Sequence, residues 1–207
     1  MAELLAEAGV LDVDVEDVED VEDIVADEHV RSAAYQRVVS VAAAAPSRER
    51  DRALVATILR DPHEMTSKTA VVALVDGVAA RASGQAEFRR WAAGVLPEVD
   101  RLRTEAYREF VRRRVHDWLF HLAVRDGHVP TAAELAQVTD WMQRLVAEES
   151  TSPAVLALLA ASGRRGKTRN VATNRSRSQS RSQSRSRSVD GSRGRRGAAG
   201  GGRGGRG

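Results

Sequence analysis

The sequence predicts an all-α protein, with five to seven helices packed as a bundle or an orthogonal array between two charged tails. Two observations lead to this prediction. Alanine, leucine, valine and arginine recur from about residue 30 to 163 with helix start and stop residues at intervals, and no segment has a convincing strand pattern. The length of 207 residues also suits one ordinary domain with extensions. We expect a helical domain over residues 30–163.

Proline, serine, threonine and glycine residues predict where the first helices begin and end. A helix over 30–45 should stop at Pro46, and Ser47 should cap a second helix that ends near Arg60. Thr66 or Ser67 is expected to cap a third helix, which ends near Ser83 and Gly84. A short helix around Phe88 and Trp91 follows.

Three later helices complete the predicted domain. Pro97 suits the first turn of a long helix that reaches about Arg125. Thr131 and Glu134 have the spacing of a capping box, which predicts a helix to about Glu149. A short apolar helix should then begin at Ser152-Pro153 and end at Gly163. The apolar positions expected on the long helix are Val99, Leu102, Ala106, Phe110, Trp118 and Val124.

Charge divides the chain into three blocks. Residues 1–30 hold 12 acids and no lysine or arginine, residues 31–162 hold 18 bases and 16 acids, and residues 163–207 hold 14 bases and one acid. Dense like charge and low apolar content disfavour a packed core. We therefore expect a largely disordered acidic head over 1–29 and a disordered basic tail over 164–207, which could contact each other.

The composition excludes several kinds of chemistry. The chain has no cysteine, so it has no disulfide, thiolate metal site or cysteine nucleophile. We also find no sequence motif for a catalytic site, a cofactor or a metal, and no apolar stretch of about 18 residues that could span a membrane. The expectation is a soluble, non-enzymatic intracellular protein, in the cytoplasm or on a nucleoid, or in the nucleus if the source is eukaryotic or viral.

The tail is built from arginine, serine and glycine. Serine occupies every second position from Ser176 to Ser188, mostly alternating with arginine, and residues 191–207 are rich in Arg-Gly units. Guanidinium groups pair with phosphates and release condensed counterions without reading base sequence. We expect the tail to bind RNA or DNA through its bases, which are Arg164, Arg165, Lys167, Arg169, Arg175, Arg177, Arg181, Arg185, Arg187, Arg193, Arg195, Arg196, Arg203 and Arg206.

These alternating segments resemble the RS and RGG tails of RNA-binding and RNA-packaging proteins. The resemblance covers residues 163–207, and no family is recognised for the helical region. It implies nucleic-acid binding by the tail, with the helical domain serving oligomerisation or partner binding, as in nucleocapsid-like packaging. The alternative is a protein-interaction or regulatory adaptor, in which the acidic head is the active segment and the tail adds solubility.

Four other signals are interpreted as structural. Residues 161–168 fit a loose phosphate-loop pattern, but they are expected to follow a helix and enter disorder, whereas a phosphate loop leaves a strand. His116 and His121 would lie about 140° apart around a helix, unlike a metal-binding pair. Glutamates interleave with a row of arginines on the long helix, which favours a self-paired face. The three tryptophans fall on apolar stripes and are expected in the core: Trp91, Trp118 and Trp141.

Overall fold

The structure of the protein, a computed structural model, describes residues 28–194, with side chains as far as residue 181. Within these residues it is all-α, which confirms the predicted fold class, and no strand is present there. Nine helices replace the predicted five to seven in this part of the chain. They are α1 (Glu28–Ala44), α2 (Asp51–Ile58), α3 (Glu64–Arg81), α4 (Gln85–Val99), α5 (Glu105–Arg125), α6 (Ala132–Gln137), α7 (Asp140–Glu149), α8 (Pro153–Ser162) and α9 (Gly166–Gly194).

The helices form two compact units that divide after His128. The first unit contains α1 to α5 and the second contains α6 to α9. This division differs from the single domain predicted over 30–163, because α9 joins the second unit and packs on α7 and α8. The acidic head, up to residue 27, and the last part of the tail, 195–207, lie outside the described residues.

The first unit is built around the close packing of α1 on α3. A Cβ atom added at Gly77 would lie 2.7 Å from the Cβ of Ala43, so the two backbones approach where both residues are small. Val71, Leu74 and Val75 of α3 are fully buried at helical spacing. Ser47 lies before the start of α2 and does not cap it, because that helix begins at Asp51 after Arg50.

A buried polar cluster fixes α1 against the turn that precedes α3. The Asp61 carboxylate accepts hydrogen bonds from Arg31 Nε at 3.1 Å and from the Tyr35 hydroxyl at 2.9 Å. It also accepts from the backbone N–H of His63 at 2.8 Å. The side chains of Arg31 and Asp61 are 4% and 0% exposed, so this pair is shielded from water. Burial and the neighbouring Asp61 raise the pKa of Tyr35 well above its usual range.

Helices α4 and α5 differ from the sequence prediction in where they begin and end. Pro97 lies in the last turn of α4, and the long helix begins at Glu105. Proline is favoured in the first turn of a helix, and Pro97 therefore predicts the start of a new one. Instead α4 continues through Pro97 and ends two residues later. The buried row of α5 is Val111, Val115, Trp118 and Leu122. Phe110, expected on that row, is 49% exposed.

Two tryptophans of the first unit donate their indole N–H groups to carboxylates. Trp91 donates to Asp51 at 2.8 Å, and Trp118 donates to Asp76 at 2.6 Å. Burial raises the pKa of both carboxyl groups, and the indole bonds and nearby arginines oppose the rise. Both indoles are at least nine-tenths buried, as predicted from their helical positions.

The second unit begins with the predicted capping box. The Thr131 hydroxyl accepts from the backbone N–H of Glu134, and the Glu134 carboxylate accepts from the backbone N–H of Thr131. The helix it starts ends at Gln137, however, and α7 begins again at Asp140 after a cap by Thr139. The Thr139 hydroxyl caps α7 by accepting a hydrogen bond from the backbone N–H of Met142 at 3.2 Å. The predicted single helix is therefore two.

The break also changes the environment of Trp141. It is 41% exposed and is not the core residue that was predicted. The buried row of α7 passes instead through Met142, Val146 and Ala147, because α7 starts a new helical phase after the break. The prediction for α8 is confirmed: Ser152 caps the helix, Pro153 occupies its first turn and Gly163 follows its end.

The structure also corrects the predicted disordered tail over residues 166–194, which form α9. Thr168 and Ala172 are 2% and 0% exposed, and α9 packs on α7 and α8. Together with the half-buried Val171 and Arg175 they follow the i, i+3, i+4, i+7 spacing of a helix face. The residues of this face are small or polar, so the apolar spacing that predicts a packed helix is weak here.

Replacing Asp61 with alanine should destabilise the protein by about 3–5 kcal/mol, because the change leaves the Arg31 charge buried without its carboxylate. Chemical denaturation monitored by tryptophan fluorescence measures the loss. Glu105→Ala is the matched control, since it removes an exposed carboxylate that pairs with Arg108, and it should cost less than about 1 kcal/mol. Equal losses for the two variants would contradict the role of the buried pair.

Candidate nucleic-acid interface

The candidate interface is the basic segment that begins after α8, and its first part is anchored to the second unit. The backbone N–H of Arg164 donates to Gln143 Oε1 at 2.9 Å. Gln143 is buried, and its own amide donates to the carbonyl of Leu135 at 2.8 Å. A buried glutamine therefore joins the end of α6, the middle of α7 and the start of the basic segment.

One carboxylate holds the first two arginines of the segment. Asp140 Oδ1 accepts from Arg164 Nη1 at 3.0 Å, and Asp140 Oδ2 accepts from Arg165 Nε at 2.5 Å. Arg164 also donates from Nη2 to the carbonyl of Ala136 at 2.8 Å, near the C-terminus of α6. These arginines were predicted to contact nucleic acid, but here they hold the segment on its own unit.

The same contacts change the titration of Asp140. The hydrogen bond from Arg165, together with the charges of Arg165 and Arg164, lowers the pKa of the Asp140 carboxyl below its usual value. A lowered pKa in the folded state means that the pair contributes stability above the ordinary aspartate pKa. That contribution is lost as the pH falls through the lower, folded value.

Two more arginines bind backbone carbonyl groups. Arg169 Nη1 donates to the carbonyl of Gly163 at 2.7 Å, just after the end of α8. Arg175 Nη2 donates to the carbonyl of Ser150 at 3.3 Å, after the end of α7. Arginine at these positions satisfies carbonyls that a helix end leaves without an intrahelical partner. Four of the predicted phosphate-binding residues therefore have structural contacts.

The exposed bases lie farther along α9. Lys167, Arg177 and Arg181 have exposed side chains. Arg177 and Arg181 are four residues apart, which places them about 6 Å from each other along the helix axis and about 40° apart around it. They lie away from the buried row of Thr168 and Ala172, so a polyanion could contact both while α9 stays packed.

The remaining predicted bases are only partly covered by the structure. Arg185, Arg187 and Arg193 lie in α9, beyond the side chains that are described. Arg195, Arg196, Arg203 and Arg206 lie outside the described residues. The serines between the arginines follow the helix: Ser178 and Ser180 each donate to the carbonyl four residues before.

The phosphate-loop pattern over 161–168 joins two helices. The expectation that it enters disorder is wrong, since α9 begins at Gly166, but a helix precedes it where a phosphate loop requires a strand. The Thr168 side chain, which would face a metal ion in such a loop, is 2% exposed. This segment is therefore a helix–helix connection.

The arginine row of α5 is self-paired. Arg108 bonds the carboxylate of Glu105, and Arg112 bonds Asp100 at 2.5 Å. Arg101, before the helix, pairs with Glu98 at 2.9 Å. These ion pairs reduce the positive charge that the row offers to a phosphate backbone.

The histidines of α5 and the rest of the described chain give no metal site. His121 is buried and meets the edge of the Trp118 ring, with 5.2 Å between centroids. Residues 28–194 contain no group of three histidine, aspartate or glutamate side chains that could hold a metal ion. None of the helices described there is long and apolar enough to cross a membrane.

The class defined by the fold is an all-α protein whose second unit carries a basic helix. The chain matches no protein-family model, no curated protein and no solved structure.

Replacing Arg165 with alanine should raise the pKa of Asp140 toward its ordinary value, because Arg165 supplies the strongest of the contacts that lower it. A carboxyl NMR titration measures this pKa directly. Arg144→Ala is the control on the same helix, since Arg144 pairs with Glu148 and not with Asp140. An Asp140 pKa that is the same in the wild type and in Arg165→Ala would contradict the observed pairing.

Proposed function

We propose that the protein is a non-enzymatic nucleic-acid-binding protein whose basic segment, residues 164–207, binds phosphate backbones without sequence specificity. The observation that carries the proposal is charge: residues 163–207 contain 14 bases and one acid. Each guanidinium that contacts a phosphate releases a condensed counterion, which favours binding at low salt. The last aromatic residue is Trp141, so the segment lacks an aromatic side chain on which bases could stack.

The described bases of the segment fall into two groups, one anchored to the second unit and one with exposed side chains. Arg164, Arg165, Arg169 and Arg175 hold it to α6, α7 and α8, while Arg177 and Arg181 have exposed side chains. In this proposal phosphate contacts are made by the bases from Arg177 onward and by Lys167, which is also exposed but lies ten residues before Arg177. In this proposal the binding part begins after the packed start of α9.

The helical units serve oligomerisation or the binding of a partner in this proposal. A version with several copies would be a packaging protein, in which the helical units associate and the basic segments hold RNA or DNA. This version rests on the arrangement of helical units and a basic segment, and its test is the oligomeric state of the purified protein with and without nucleic acid.

Replacing the nine arginines from Arg177 onward with glutamine should abolish most binding to single-stranded RNA and to duplex DNA. If about half of the 14 bases engage a single strand, log affinity should fall with log salt at a slope of about −5, and the variant should show a slope no steeper than about −2. Fluorescence anisotropy at several salt concentrations measures both slopes. The nine are Arg177, Arg181, Arg185, Arg187, Arg193, Arg195, Arg196, Arg203 and Arg206.

The matched control replaces the same nine arginines with lysine. Lysine keeps the charge, so the slope should remain close to that of the wild type. Substitution is preferable to a chain that ends at Ser162, because truncation there would also remove the buried residues Thr168 and Ala172 from the second unit. Wild-type binding that is absent at low salt, or that survives the glutamine substitutions, would refute the proposal.

The acidic head should compete with nucleic acid for the basic segment. Residues 1–30 carry 12 acids, and an intramolecular polyanion occupies arginines at high effective concentration. Converting the eight acids between Asp12 and Asp23 to amides should tighten RNA binding at low salt, and the gain should disappear at high salt because screening removes the competition. Unchanged affinity at low salt would exclude the contact between head and tail.

The second candidate function is a protein-interaction adaptor, and exposed apolar side chains favour it. Met65 and Phe110 are 50% and 49% exposed on the first unit. Lys68, one turn after Met65, places its ammonium 4.7 Å from the centre of the Phe110 ring. An adaptor should purify free of nucleic acid and retain a protein partner, whereas a nucleic-acid binder should release nucleic acid when the salt concentration is raised.

A further inference from the structure

An apolar groove lies between α1 and α2 in the first unit. Its volume is about 850 Å³, which is within the range of binding clefts. The lining is mainly apolar, and Val41 at its edge is 68% exposed. The apolar lining residues include Val38, Val41, Ala42, Ala45, Ala53 and Leu54.

The segment that precedes α1 has an apolar pattern suited to this groove. Leu11, Val15, Val18, Val21 and Val25 recur at steps of four, three, three and four residues, which is the spacing of one face of an α-helix. Acidic residues fill most of the positions between them. The three-residue Val-Glu-Asp repeat obscures this longer pattern, because it covers only the middle of the segment.

Chain length sets the register in which such a helix would meet α1. If residues 11–25 formed a helix and residues 26–27 turned the chain, the segment would run antiparallel to α1 as a helical hairpin. Leu11 is 14 residues before Val25, and Ala42 is 14 residues after Glu28, so Leu11 would lie level with Val41 and Ala42. Val15 would lie level with Val38 for the same reason. Both valines of α1 line the groove.

Charge favours the same arrangement. Residues 31–60, which cover α2 and all but the first turn of α1, contain six arginines and two acids, whereas residues 1–30 contain 12 acids and no arginine or lysine. Three of these arginines are already paired with carboxylates, Arg31 with Asp61, Arg48 with Asp51 and Arg52 with Glu98, and the other three are Arg37, Arg50 and Arg60. Arg37 is exposed one turn before Val41, and Arg50 lines the groove beside Glu49 and Asp51, of which Asp51 is paired with Arg48. The short covalent connection to α1 also gives the segment a high effective concentration at this groove.

We propose that residues 11–25 of the same chain dock in the groove between α1 and α2 as an amphipathic helix, with Leu11 at Val41 and Val15 at Val38. The apolar stripe covers the groove, and the acidic face meets Arg37 and Arg50 at its edge. This inference goes beyond the proposed function, because it concerns the first unit and needs no nucleic acid.

The absence of native cysteine makes a disulfide test direct. Leu11→Cys combined with Val41→Cys, in the full chain without nucleic acid, should form an intrachain disulfide under mild oxidation. A disulfide requires Cα atoms about 4.4–6.8 Å apart, so its formation reports the register. Val13→Cys with Val41→Cys is the matched control, since residue 13 lies about 160° around the helix from residue 11. The first pair should react roughly tenfold faster than the control pair.

A second cysteine pair controls for a local effect of either substitution in the first pair. Val15→Cys with Val38→Cys tests the same register one turn away, and circular dichroism of the reduced variants should match the wild type. Fast intrachain oxidation of either on-register pair relative to the Val13 control supports the proposal. Equal rates for all pairs would show unspecific encounters and overturn it, as would no disulfide in either on-register pair.

The products also identify the occupant of the groove. Disulfide-linked dimers without the intrachain product would assign the groove to the segment of a second copy and overturn the same-chain proposal. Loss of RNA binding in the arginine variants leaves this result unaffected, because the cysteine pairs lie outside the basic segment. The two proposals can therefore fail separately.

Discussion

The buried Asp61 carboxylate is the constraint that holds α1 in the first unit, and a partly exposed carboxylate, Asp140, anchors the start of the basic segment in the second unit. Asp61 receives Arg31 and Tyr35 of α1, and Asp140 receives Arg164 and Arg165 at the start of the basic segment. Few aromatic side chains are available to fill the core, since they make up 4% of the sequence. Directional bonds between helices therefore specify an arrangement that valine and alanine contacts alone would leave less defined.

Arginine has two different roles in this chain, and local geometry separates them. Arg169 and Arg175 bond carbonyl groups at helix ends, whereas Arg177 and Arg181 lie on the exposed side of α9. Charge density alone treats these residues as equal, because it depends only on composition. Their contacts divide the basic segment into an anchor and a part available to phosphate groups, which gives the proposed binding a defined starting point.

Helix caps can be predicted from the sequence where the donor and acceptor groups lie within one turn of each other. Thr131 and Glu134 form the expected capping box, and Ser152 with Pro153 starts α8, since these interactions involve neighbouring residues. Pro97 was misplaced because proline is compatible with more than one helix position, and the neighbouring packing selected the end of α4. Trp141 was misplaced because the break before Asp140 shifts the helical phase.

The sequence by itself determined the all-α class, the starts of α6 and α8, and the separation of charge into an acidic head and a basic tail, since these follow from local spacing and composition. Tertiary structure decided that the basic segment begins as a packed helix and which of its arginines are anchored. Small and polar residues such as Thr168 and Ala172 carry little apolar signal in a sequence. Their burial depends on α7 and α8, which only the folded chain brings to them.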